Sequence, residues 1–264
     1  MPEYIKIFEN FDKQLSAELK KEQGELSKLL NAKAIFSLTM GEVIGKIEEK
    51  SEVLFNIWYA MSIYPWNAFP SKDNNYSIGA FQMRKSTYLN LLEKINEYTK
   101  KHGLKNTQRL LSLPKTFEEC ESFYCQAKAA ILLNYFEVKN AEKVIFSNKE
   151  IKEMWKNANE EEKERFLLTV ISAIHNLGLT NFQALWKDFL KEREKQPIKN
   201  NNEINSLAPV AAIKENKEQR LGIDKLETLN NKLIEFIDRK YNNLNFSEYA
   251  NSNYGVYIFL KKLF

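Results

Sequence analysis

Residues 76–88 read Tyr-Ser-Ile-Gly-Ala-Phe-Gln-Met-Arg-Lys-Ser-Thr-Tyr and set one amide, Gln82, between Phe81 and Met83. An amide donates and accepts hydrogen bonds at once, which suits sugar hydroxyls and N-acetyl groups. Gly79 stands just ahead, in a chain with only 8 glycines. A glycine there lets the backbone turn, or lets a ligand come close. The alternative is a tight turn in which both residues serve the backbone alone. A second polar point closes residues 169–178, where an apolar helical run ends in His175-Asn176-Leu177-Gly178. Between residues 55 and 69 lie Trp58, Tyr59, Tyr64, Trp66 and Phe69. Such rings can stack on sugars, but at this density most of them are expected to fill a core. Tyr64 and Trp66 flank Pro65, which favours a loop with partial exposure.

The elements that must position these residues are helical almost throughout. Tyr4, Ile5, Phe8, Phe11, Leu15 and Leu19 recur at helical spacing. A break follows near Asn31. Thr39 with Glu42 has the form of a capping box and predicts a helix start there. Further helices are expected at about 84–102, 116–138, 147–157, 160–176 and 180–194, with a second cap at Asn159 and Glu162. Residues 195–219 are polar, rich in asparagine and carry Pro197 and Pro209; they read as a linker or surface excursion. Helix resumes after them, with Leu226, Leu229, Leu233, Ile234 and Ile237 on one stripe.

Composition agrees with a mainly α chain. Of 264 residues, 44% are hydrophobic and only 6 are proline, so helix formers outweigh turn residues. The net charge of +4 is mild. It comes without a dense Lys/Arg stripe or a zinc-finger signature, and no nucleic-acid partner is expected. No run of about 18 apolar residues is present, so no membrane span is expected. The N-terminus lacks the apolar segment of a secretory signal. The 2 cysteines, Cys120 and Cys125, do not have metal-site spacing and would sit on different faces of one helix. Core packing is the expectation for both, and neither a metal nor a cofactor is expected.

The two polar segments together resemble the lysozyme-like superfamily of lytic transglycosylases and goose-type lysozymes. Ser77-Ile78-Gly79-Ala80-Phe81-Gln82-Met83, with Thr87 after it, is similar to that group's Gly-containing segment ending in hydrophobic-Gln-hydrophobic. Ser172-Ala173-Ile174-His175-Asn176-Leu177-Gly178 is similar to its later Ala-Tyr-Asn-x-Gly segment, with His175 near the position of the tyrosine. The apolar Ala127–Phe136 run resembles the helix between them.

The resemblance implies a lysozyme-like helical domain over residues 35–194. An N-terminal helix would occupy 1–34, a linker or surface loop 195–222, and a C-terminal helical region 223–264. It also implies cleavage of peptidoglycan glycan strands, in which a glutamic acid with a raised pKa protonates the leaving oxygen. Glu48 is the favoured acid, with Glu49 and Glu42 as alternatives. Each also has a plain use, Glu42 as a capping partner and the others on a solvated helix face. Asp73 is the candidate second carboxylate, or else a turn residue. Tyr76, Ser77, Gly79, Gln82, His175 and Asn176 would hold the sugar and its acetamido group. A non-catalytic glycan-binding relative in a phage tail or secretion apparatus is the other reading. Action on the cell wall would be periplasmic or follow delivery by phage or secretion machinery, with the C-terminal helices open to a partner in that apparatus.

Overall fold

Asn31 begins the helix around which much of the molecule is arranged: its Oδ1 accepts from the Ala34 N–H at 3.0 Å. The next donor, the Ala32 N–H, is taken by Asp12 Oδ2 at 3.1 Å. Two of the free donors of a helix start are thus satisfied by side chains. The computed structural model describes residues 2–19, 24–44, 77–78, 81, 83–102, 110–120, 122–195, 225–242 and 244–263, without the side chains of 2–5, 16, 18–19, 39, 41–44, 77–78, 195 and 263.

The described residues form nine helices and one small hairpin. The helices are α1 (Pro2–Leu19), α2 (Ala32–Ile44), α3 (Lys85–His102), α4 (Phe123–Ile145), α5 (Lys149–Asn157), α6 (Glu160–Leu177), α7 (Leu179–Lys195), α8 (Leu226–Lys240) and α9 (Phe246–Leu263). The strands β1 (Ser77–Ile78) and β2 (Met83–Arg84) run antiparallel, with Ser77 opposite Arg84 and Ile78 opposite Met83. The protein is therefore mainly α, as its composition implies.

Local signals explain most boundaries. Asn159 and Glu162 form a reciprocal capping box at α6, with both bonds at 2.9 Å. Asn148 caps α5 through the Ile151 N–H. Gly178 ends α6 at φ 78°, a left-handed backbone that a side chain resists. That sharp break lets α7 begin at the next residue. All five residues of the Leu226–Ile237 stripe are buried.

Two expectations are corrected. Thr39 and Glu42 do not open a helix; both lie inside α2. The cap is Asn31, and the Ala32–Leu38 run is buried apart from Lys33, so packing extends the helix well ahead of the Thr39 motif. The cysteines do not share a helix either. Cys120 and Cys125 form a disulfide, with Cα atoms 5.3 Å apart. α4 starts later than the expected position near 116 because residues 117–120 form a turn, closed by the Cys120 N–H to the Phe117 carbonyl at 3.0 Å. That turn folds Cys120 back onto the first turn of α4. Both sulfurs are buried as expected, but bonded to each other.

Two aromatic groups organise the core. Phe36 of α2 lies 5.4 Å from Phe8 of α1 and 5.5 Å from Phe81, and Phe81 lies 5.8 Å from Phe123 of α4. This group seats Phe81 on α2 and α4. Trp186 of α7, fully buried, meets Phe166 of α6 at 6.2 Å and Phe189 at 5.6 Å. Phe189 in turn meets Phe236 of α8 at 5.5 Å.

The C-terminal helix is built into the same core. Tyr249 of α9 donates to the Leu38 carbonyl of α2 at 3.2 Å. The Tyr257 hydroxyl accepts from Asn31 Nδ2 at 3.3 Å and donates to Glu164 of α6 at 3.1 Å. Burial and the Glu164 carboxylate push that phenol up to about 12.

Candidate functional site

Gly178, which ends α6, lines a cleft of about 490 Å³, within the size range of ligand pockets. α2 supplies Ile35 and Leu38 as an apolar wall. The hairpin brings Phe81, Met83 and Arg84, and α3 brings Thr87. α4 presents Asn134 and Glu137, and the end of α6 adds Ile174 through Gly178.

The two polar segments read from the sequence therefore meet. Phe81, Met83 and Thr87 line the same cleft as His175 and Asn176, from which they are separated by almost ninety residues or more of chain. Phe81 and Met83 are buried at 4% and 6% exposure, so the residues flanking Gln82 are anchored on the core. Asn176 is exposed, and its Nδ2 donates to the Ser172 carbonyl one turn back at 3.0 Å. That bond fixes the amide while its oxygen remains an acceptor. His175 is half-buried beside it.

Of the other expected site residues, Glu48, Glu49, Asp73, Tyr76, Gly79 and Gln82 lie outside the described residues, as do the aromatics Trp58, Tyr59, Tyr64, Trp66 and Phe69. Glu42 falls in the last turn of α2 and Ser77 in β1, opposite the cleft residue Arg84.

Glu137 is the residue that sequence reasoning missed. Its side chain is 17% exposed, on the α4 wall of the cleft. Burial raises its pKa above the ordinary carboxyl value, and the charges of Lys94 and His175 partly oppose that rise. Lys94 Nζ stands 4.0 Å from Glu137 Oε1, at the limit of an ion pair. A carboxyl placed this way keeps its proton more readily than one in water. It can donate that proton to a group lying in the cleft and later take one back.

Among the described residues, no group of three or more His, Cys, Asp or Glu could hold a metal ion. No described helix is long and apolar enough to cross a membrane. No family model, no curated protein and no solved structure matches the chain.

Proposed function

We propose that the cleft binds and cleaves the glycan strand of peptidoglycan. The observation that carries this reading is the meeting of the 81–87 and 174–178 segments around one cleft. Amides and hydroxyls at Asn176, Asn134 and Thr87 suit acetamido and hydroxyl groups, over an apolar floor from Ile35, Leu38 and Phe81.

The reaction is of the transglycosylase type. It needs one carboxyl: the acid protonates the leaving oxygen, and the sugar's own C6 hydroxyl attacks C1 to leave a 1,6-anhydro end. Hydrolysis with inversion would require a second carboxylate about 6.5–9.5 Å away to hold a water. In the sequence reading Glu48, ahead of Glu49 and Glu42, supplies the proton. Asp73 is the acid available to hold a water.

The test is digestion of purified peptidoglycan followed by mass spectrometry, with calorimetry of tri-N-acetylchitotriose binding. Anhydro-muramoyl ends, one water lighter than reducing ends, are expected. Reducing ends alone, with activity lost in Asp73→Asn, would assign hydrolysis instead. Binding without any cleavage would favour the glycan-binding reading, and neither binding nor cleavage would remove the glycan altogether.

A further inference from the structure

The acids nominated by the sequence precede the hairpin in the chain, and the cleft is also lined by a carboxyl from α4. We infer that Glu137 of α4 is a catalytic residue of this cleft, delivering the proton to the glycosidic oxygen; the inference rests on the glycan-cleavage reading above.

Four observations converge on it. Glu137 lines the cleft formed with Thr87, His175 and Asn176, so a sugar lying against those groups also lies against its carboxyl. Its side chain is mostly removed from water at 17% exposure, on a helix where Asn134, Tyr135, Phe136 and Val138 are buried. A long buried helix gives a reacting group a fixed position, which a surface loop does not. Third, Lys94 at 4.0 Å is too far for a close, fully neutralising pair. The carboxyl is steadied by a cation without being locked in a tight bridge. Fourth, burial favours its protonated form, the form a general acid needs before reaction.

Among the described residues, basic side chains near it or lining the same cleft come from three elements. Lys94 lies on α3, His175 on α6, and Arg84 of β2 lines the same cleft. Of the described side chains of α2, the apolar Ile35 and Leu38 line the cleft. Lys94 favours the carboxylate that remains after proton transfer, and burial favours the acid beforehand. A proton donor must pass through both states in each turnover.

The step balances. The Glu137 carboxyl proton goes to the glycosidic oxygen as the C1–O bond breaks, and that oxygen leaves as a hydroxyl. The C6 oxygen of the same sugar bonds to C1, and its proton returns to the Glu137 carboxylate. No other reactant is consumed, and the enzyme ends as it began.

The experiment compares wild type, Glu137→Gln and Glu48→Gln on purified peptidoglycan, with tri-N-acetylchitotriose affinity and melting temperature measured on each. Glu137→Gln should lose about 10²- to 10⁴-fold in kcat with sugar affinity retained. In wild type, activity should fall as pH rises through the pKa of Glu137. Lys94→Met removes a cation that holds this pKa down, so its alkaline limb should move to higher pH. Should Glu137→Gln fail to fold, Glu137→Asp and the Lys94→Met profile carry the same test. The Asp variant withdraws the carboxyl by one methylene and should lower kcat with little change in KM. Wild-type turnover in Glu137→Gln, a lower melting point alone, or an unmoved profile in Lys94→Met would overturn the assignment. A wild-type protein that neither cleaves nor binds glycan would overturn the glycan reading, and the assignment with it.

Discussion

Asn253 of α9 donates through Nδ2 to the Ser172 hydroxyl of α6 at 2.9 Å, and both side chains are fully buried. Ser172 also offers its carbonyl to Asn176, so this residue holds α9 with one group and the cleft amide with another. A buried polar pair of this kind is costly to break, because the surviving partner is left without a bond. Asn253→Ala should destabilise the protein by about 1–3 kcal/mol in urea unfolding. A double variant with Ser172→Ala should lose less than the sum of the two singles.

Asp12 sets a pH dependence on the α1–α2 junction. Burial pushes its carboxyl up to about 7 from 3.8, against the Ala32 N–H bond, which pulls it down. An acid whose pKa is higher folded than unfolded contributes its stability fully below the unfolded value. That contribution fades as pH rises through the folded value. Asp12→Asn keeps an acceptor for the Ala32 N–H and removes the titration. The variant should melt higher than wild type at pH 8, by the equivalent of a few kcal/mol, and the two should converge below about pH 4. Equal melting temperatures at both pH values would show that Asp12 does not titrate differently on folding.

Glu142 of α4 clamps the segment ahead of α2. Its Oε2 accepts from the Ser27 N–H at 3.3 Å and from the Ser27 hydroxyl at 3.1 Å. A Cβ on Gly24 would fall 1.4 Å from Glu142 Oε1. Gly24→Ala must therefore push the carboxylate away and weaken the clamp. A loss of about 1–3 kcal/mol is expected for Gly24→Ala or Glu142→Ala alone. In the Glu142→Ala background, Gly24→Ala should be close to neutral, which chemical denaturation of the four proteins would reveal.

The disulfide closes a short ring across the start of α4. For a ring of about six residues, the chain-entropy relation gives roughly 2 kcal/mol. Cys120→Ala with Cys125→Ala, or treatment with a thiol reductant, should lower the melting temperature accordingly without abolishing the helical circular dichroism. An unchanged melt in reductant would show that the bond does not contribute in solution.

Much of the helical pattern was legible because single residues decide it. Asn159 with Glu162 and the Leu226–Ile237 stripe act locally, and both are found as read. Thr39 misled because a capping motif is informative only if no earlier cap competes, and Asn31 does. The Ala32–Leu38 run is apolar on nearly every side, so its period does not mark a start. The cysteine bond was missed because it depends on a turn at 117–120, which spacing alone does not announce. His175 and Asn176 were legible as a polar end to an apolar helix. Glu137 was not, since a glutamate two residues before Lys139 looks like any solvated position. Its burial is decided by α2, α3 and α6, none of which is near it in sequence.

The pairing of α2 with α9 carries a consequence for biosynthesis. Leu38 waits for Tyr249 across 211 residues, and Asn31 for Tyr257 across 226. At a translation rate of about 5–20 residues per second, that delay is on the order of 10–40 s. Through this interval the side of α2 that α9 will cover stays open to the cell's holding chaperones. The cleft wall formed by α2 reaches its finished state only after α9 has been made. A nascent chain that stalls between residues 195 and 245 should therefore carry an unfinished cleft and be drawn to quality control before it can act on a substrate.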